Sequence, residues 1–270
     1  MGATKKYFRN QFQIEKLGLE HDEASDFYLS CWQKNRASLP LVCVRFAVFL
    51  GCLGIILASL VVTGVNSKIM ITHGYWLIYM THWGVIMITV TSLLAFAVSA
   101  RAYFTGPIDS TFGLPWYIKL YWVSYTVTLP IAFFITIFYY SLLTALAEEY
   151  ALDPVLDVFI HGMNSVAMFA LLMSAQHPSH LLHFVYPFMF GVFYLIFSAI
   201  YYSAGGLSPF GEKWIYPMID WSKPGPTMIM VVISAIAIII MHVLVVLLSL
   251  LRDFVSKKYV RNVTSMSLVR

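Results

Sequence analysis

Charge is what this sequence has least of. Asp, Glu, Lys and Arg make up 11% of its 270 residues, against about 25% in an ordinary soluble chain. That scarcity leaves no room for a separate soluble catalytic domain and gives no basis for a nucleic-acid partner. Cysteine is scarce too. Cys31, Cys43 and Cys52 form no C-x-x-C pair, so neither a disulfide framework nor a zinc site can be argued from them, and they read as small buried or near-surface thiols. A glycine-rich phosphate loop, a G-x-S-x-G elbow and an H-E-x-x-H helix are all missing. The N-terminus carries Lys5, Lys6, Arg9, Glu15 and Lys16 where a signal peptide needs an uninterrupted apolar core. Met1-Gly2 starts like a myristoylation signal, but Lys6 stands where that motif needs Ser or Thr.

What is present is hydrophobic: 60% of the chain. Six apolar runs, over 41–63, 76–99, 117–141, 155–174, 184–203 and 227–250, each approach the ~20 residues a helix needs to cross a ~30 Å hydrocarbon core. Lipid cannot satisfy open backbone groups, so the spans are expected to be helical. The fold class expected is all-α, an integral membrane bundle of about six transmembrane helices. It divides into a cytosolic or interfacial segment over 1–38, a six-helix domain over 39–252 and a cytosolic tail over 253–270. The fourth run is the most polar, with Asp157, His161, Asn164 and Ser165.

Of the 17 lysines and arginines, only Lys68, Lys213 and Lys223 fall in the alternate connections, beside Glu148, Glu149, Asp153, Glu212 and Asp220. The positive-inside rule then places both termini in the cytosol, in the plasma membrane or the endoplasmic reticulum. Phe12, Ile14, Leu17 and Leu19 alternate with charges, which suits either a segment resting on anionic headgroups or a solvated tail.

Ionisable groups inside spans are costly and mark sites by default. With the second span starting near Tyr75 or Trp76 and the fourth near Val155, Thr81, His82 and His161 fall at one level in the outer half, about 8–10 Å down. Asp157, His161 and Asn164 follow i, i+4, i+7 spacing and share a face. A hydroxyl nucleophile, an imidazole base, an orienting carboxylate and an amide donor to an oxyanion can be drawn from these residues. The same residues can equally be a polar face that joins helices by hydrogen bonds. Thr81 is not singled out by context, since Thr63, Thr89, Thr91, Thr126, Thr128 and Thr136 are as apolar in their surroundings. His177, His180 and His183 repeat every third residue, but Pro178 interrupts the helix that would align them on a metal, and a polar interfacial loop accounts for them. The last outer loop, with Trp214, Tyr216, Asp220 and Trp221, reads as an aromatic belt or as a lid over the site whose Asp220 reaches the imidazole.

Two resemblances attach to these residues. Over nearly the whole chain the sequence resembles the rolling stone family. The segments that carry it are Leu17-Gly18-Leu19-Glu20-His21, Ser30-Cys31-Trp32, His161-Gly162-Met163-Asn164-Ser165, Tyr201-Tyr202-Ser203-Ala204-Gly205-Gly206 and Ile215-Tyr216-Pro217-Met218-Ile219-Asp220-Trp221. That resemblance implies a membrane protein acting in myoblast fusion. Over about 75–225 the sequence is more distantly similar to the androgen-induced-gene and androgen-dependent-regulator proteins. These are transmembrane threonine hydrolases of fatty acid esters of hydroxy fatty acids. Tyr79-Met80-Thr81-His82-Trp83, His161-Gly162-Met163 and Trp214-Ile215-Tyr216-Pro217 stand where that family has its nucleophile, its base and a Trp-Val-Tyr-Pro segment. Asn164 and His82 depart from its pattern. The resemblance implies Thr81 as nucleophile and His161 as base, with Asp157 or Asp220 orienting the ring and Asn164 stabilising charge. His82, Trp83, Trp214, Tyr216 and Trp221 are the substrate contacts it suggests. No cofactor or metal is expected. The partners expected are membrane lipids, among them a lipid-ester substrate entering sideways from the bilayer. A carrier or channel ranks last, since only Pro130 and Pro187 interrupt spans and no inverted repeat is visible.

Overall fold

The computed structural model describes residues 9–33, 38–65, 73–144 and 154–261. Lys5, Lys6, Lys34, Arg36, Lys68, Arg270, Glu148, Glu149 and Asp153, all used in the charge count, lie outside the described residues. Six helices are long and apolar enough to cross a membrane, which makes the chain an all-α multi-pass membrane protein. They are α1 (Leu39–Val65), α2 (Met80–Thr105), α3 (Trp116–Phe138), a two-part fourth span, α6 (Val185–Ser203) and α7 (Pro224–Ser256). The fourth span consists of α4 (Pro154–His161) and α5 (Met163–Ser174), which meet at Gly162. Among the described residues there is no strand, only an isolated bridge between Tyr216 and Ile219.

Helix ends follow local chemistry. Pro115 precedes α3, and Pro154 and Pro224 open α4 and α7, where a missing N–H costs nothing. Gly106, with φ +87°, ends α2 in a conformation that a side chain resists. The second helix starts at Met80 rather than at Tyr75 or Trp76. Trp76 Nε1 donates to Ser59 Oγ at 2.8 Å and the Trp76 carbonyl meets His82 Nδ1 at 2.6 Å. Those ties turn the chain back, and Tyr79 stays extended at φ −87° and ψ 129° before the helix begins. Thr81 therefore lies in the first turn of α2, nearer the start of the helix than the depth arithmetic gave.

The third span is central. In its most apolar stretch 61% of residues are buried, against 17–44% in the other five. It packs against α2, α5, α6 and α7. Lipid is as apolar as leucine, so buried hydroxyls knit this centre: Thr91 meets Ser124 at 2.6 Å and Thr128 at 2.8 Å.

The described part of the N-terminal segment, residues 9–33, is not a solvated tail. Ala24, Phe27 and Tyr28 are buried in the main core with Tyr121, Trp122 and Met168. Arg45 of α1, fully buried, donates to the carbonyls of Phe27 (2.7 Å) and Ala95 (3.0 Å) and to Ser99 Oγ (2.6 Å). Arg252 of α7 donates to the carbonyls of Leu172 and His177, both at 3.1 Å, and pairs with Asp253. Phe12 and Ile14 stay exposed. His177 and His180 lie in the connection between α5 and α6 and His183 in the short 3₁₀ turn that follows, but all three are buried. His177 Nε2 faces the Tyr121 hydroxyl at 3.2 Å and stacks on Phe27, whereas His183 Nε2 faces the Gly18 carbonyl at 3.2 Å. These three rings read as packing and hydrogen-bonding groups of the end opposite to Thr81.

Candidate functional site

The end of the bundle that carries Thr81 also holds a cavity of ≈ 300 Å³ between α3, α6 and α7. Its walls are mostly apolar, with Phe134, Ile135, Phe188, Gly191 and Ile238 among them. Along α6 the lining runs from Phe188 to Ser198, a depth of about 15 Å at the helical rise. The hydroxyls of Thr81, Tyr194, Ser198 and Tyr216 gather toward the Ser198 end, and Ser234 adds one from α7. The shape and chemistry suit an apolar chain with a polar head.

Thr81 is 8% exposed. Its side chain hydrogen-bonds with Tyr216, whose oxygen also faces the backbone N–H groups of Met80 and Thr81 and the Tyr194 hydroxyl. Tyr194 in turn donates to the Ile78 carbonyl at 2.8 Å. The first N–H groups of a helix have no partner within it, so the start of α2 is a ready set of donors, and Tyr216 occupies it. Burial raises the Tyr216 pKa above its ordinary value, against the lowering effect of the Thr81 contact, and keeps the phenol neutral.

His161, at the end of α4, lies beside the same cavity wall. Its Nδ1 is 3.1 Å from Asp157 Oδ1 and 3.0 Å from the Asp157 carbonyl. Its ring stacks on Tyr139 with centroids 3.6 Å apart and planes 9° apart. Tyr139 lines the cavity and donates from its hydroxyl to Asp157 Oδ2. Both partners of Nδ1 are acceptors, so the neutral ring carries its proton there and Nε2 is the basic nitrogen. Asp157 and His161 are thus together, as their i, i+4 spacing implies. Asn164 comes after the break at Gly162. It is fully buried, its Nδ2 donates to the Ile160 carbonyl, and its Oδ1 has no partner among the described residues.

The other residues named from the sequence fall in three places. His82 is committed to Trp76, stacking on it with centroids 4.3 Å apart. Trp83 is not among the residues lining the Thr81 cavity; it lines a second groove of ≈ 480 Å³ with Met87, Phe190 and Phe197, and its ring meets Tyr194 edge-on at 5.3 Å. Trp214 and Trp221 line a small pocket under the loop between α6 and α7 that shares Tyr194, Ser198, Tyr216 and Ile219 with the main cavity. Trp221 Nε1 donates to Ser198 Oγ at 3.2 Å. Asp220 is engaged in its own turn: Oδ1 accepts from Ser222 N (3.0 Å) and Oγ (2.6 Å), and Oδ2 pairs with Lys223 at 3.4 Å. Those Ser222 hydrogen bonds hold its pKa below the usual carboxylate value. The carboxylate beside His161 is that of Asp157.

Sequence reasoning passed over Tyr139, Tyr194 and Ser198. Tyrosines at the end of a span read as belt residues, and a serine in an apolar helix reads as bonded to its own backbone. The π-helical turn at Tyr139–Leu143 has no composition signal either.

Comparison with known proteins agrees with the whole-chain resemblance. A curated relative, Protein rolling stone of Drosophila melanogaster, is 29% identical over 234 residues, covering 83% of this chain and 82% of its own. No solved structure matches the chain. The family model described as Protein rolling stone matches residues 2–267, and the chain belongs to the rolling stone family.

Proposed function

We propose that this protein is a lipid-ester hydrolase of the membrane, with Thr81 as nucleophile and His161 as base. One observation carries the reading. A buried Thr81 hydroxyl stands at the polar part of an apolar cavity, and Tyr139 in the wall of that cavity stacks on the Asp157–His161 pair. An acyl chain would fill the apolar depth and bring its ester to Thr81. Tyr216 would withdraw, freeing the Thr81 hydroxyl for His161 and the Met80 and Thr81 N–H groups for the developing oxyanion. Thr81 Oγ attacks the acyl carbon while its proton passes to His161 Nε2. That proton then goes to the departing alkoxide, and water releases the acyl group from Thr81 by the reverse sequence. Asp157 orients the imidazole and offsets its positive charge. The substrate class, a fatty acid ester of a hydroxy fatty acid, is taken from the distant resemblance.

Labelling of purified protein with a lipid-like fluorophosphonate tests this. Wild type should label, and Thr81→Ala and His161→Ala should each lose labelling while remaining folded, since residues that act as a unit fail together. Full labelling of Thr81→Ala would remove Thr81 as nucleophile.

A second reading is a non-enzymatic role in cell–cell fusion. What favours it is that Tyr216, Thr81 and Tyr194 already satisfy one another and fasten the outer loop. In either case the lysine and arginine asymmetry supports a cytosolic position for both termini. Digestion of a terminal epitope tag from outside sealed cells would reverse that orientation.

A further inference from the structure

We propose that Tyr139 is the positioning residue of His161, acting through the Asp157 carboxylate. The proposal rests on His161 being the base of the site. Three observations converge on this tyrosine. Its hydroxyl donates to Asp157 Oδ2, while Oδ1 of the same carboxylate takes His161 Nδ1 at 3.1 Å. Its ring covers the face of the imidazole at 3.6 Å. The same residue lines the cavity. One side chain therefore fixes the carboxylate, the plane of the ring and the wall that a bound chain would touch.

The backbone is shaped for this. Helix α3 passes into a π-helical turn at Tyr139, an irregularity found frequently at functional sites. That turn lies against the break between α4 and α5. A Cβ on Gly162 would meet the Val158 carbonyl oxygen at 3.0 Å and the Tyr140 hydroxyl at 3.3 Å. Glycine at 162 thus lets the two irregular points approach, one residue from His161. Thr136, a turn earlier on α3, adds a tie to the His161 carbonyl at 2.5 Å.

The chemistry follows from the carboxylate's two oxygens. An Asp157 held at Oδ2 cannot rotate, so Oδ1 stays in the plane where it accepts from Nδ1. The imidazole is kept as its Nδ1-protonated tautomer with Nε2 basic. Without the phenol the carboxylate is free to turn, and the tautomer is set only by the Asp157 backbone carbonyl. Tyr139→Phe removes the donor and keeps the ring, the stack and the cavity wall, so folding is retained.

The test compares wild type, Tyr139→Phe, Asp157→Asn and the double variant. Fluorophosphonate labelling should slow about tenfold in Tyr139→Phe, the scale of an outer-sphere partner. It should slow further in Asp157→Asn, and the double variant should be no slower than Asp157→Asn alone. Losses that multiply would overturn the proposal. Nitrogen NMR of the histidines needs no turnover, with the His161 signals assigned by their loss in His161→Gln. Wild type should show one Nδ1-protonated His161, and Tyr139→Phe should bring in the Nε2-protonated form. An unchanged tautomer in Tyr139→Phe overturns the proposal even where labelling proceeds. A tautomer that responds in a protein that never labels upholds Tyr139 and removes the hydrolase reading instead.

Discussion

Arg45 donates through Nη1 to the carbonyl of Phe27 at 2.7 Å, so a guanidinium with no exposed surface fastens the N-terminal segment to the bundle. Its other acceptors, Ala95, Ser99 and Tyr121, are neutral as well. Arg45→Ala leaves these groups unpaired in the core and is expected to cost on the order of 3 kcal/mol. Thermal unfolding in detergent measures the loss, and limited proteolysis should cut the N-terminal segment earlier than in wild type. Unchanged melting would mean that water reaches these groups.

Acid should loosen the same end. Burial lowers His180 to about 3, and burial with Arg252 and Arg45 nearby holds His177 well below its ordinary 6.5. The unfolded chain therefore binds more protons than the folded one below pH 6.5, and stability falls as pH falls from there toward 3. His180 alone accounts for about 1–2 kcal/mol between pH 6.5 and 5. Melting followed from pH 7 to pH 5 should show the decline, and His180→Asn should flatten part of it. A stability that rises on acidification would contradict the burial of these rings.

Thr81→Val and Tyr216→Phe separate chemistry from fastening. Both remove the contact between these residues. If the contact only holds the loop between α6 and α7, the two variants should expose that loop to protease equally and label as wild type does. If Thr81 is the nucleophile, Thr81→Val abolishes labelling, whereas Tyr216→Phe keeps it or raises it because the hydroxyl and the α2 N–H groups are released.

Gly162→Ala places a methyl group 3.0 Å from a backbone oxygen and 3.3 Å from the Tyr140 hydroxyl. Overpacking of this kind costs about 1–3 kcal/mol. The π turn should be pushed away from His161, so labelling should fall more than stability does. A fully active Gly162→Ala protein would show that the close approach is dispensable.

The six spans were legible because lipid permits only one way to satisfy the backbone, and length and apolarity then suffice. The break at Gly162 was not, since the apolar run continues on both sides of it. The docking of the N-terminal segment was hidden for another reason. Phe27, Tyr28 and Leu29 sit among acids and serines in sequence, and what Arg45 grips is a carbonyl, which every residue has. Depth along the spans paired Thr81 with His161, but only the resemblance preferred it to the other threonines. The structure accounts for some of its equals: Thr89 bonds the Val85 carbonyl, Thr91 bonds Ser124 and Thr128, and Thr136 bonds Ser165. The pairing of Asp157 with His161 was readable from helical spacing, but the tyrosine that completes it comes from another helix, at a turn whose geometry no residue type announces.

The acceptors of Arg45 also order events during biosynthesis. Arg45 lies six residues into α1, about 9 Å from its start, and its partners are in the N-terminal segment, α2 and α3. When α1 first enters the bilayer, two of those helices have yet to be made. The side chain must then reach back toward the headgroups on its long stem. It can swing inward only after Ala95, Ser99 and Tyr121 have emerged from the ribosome. The first span thus cannot reach its final register alone, and a chain halted before Tyr121 would hold α1 in the membrane with its Arg45 end still open.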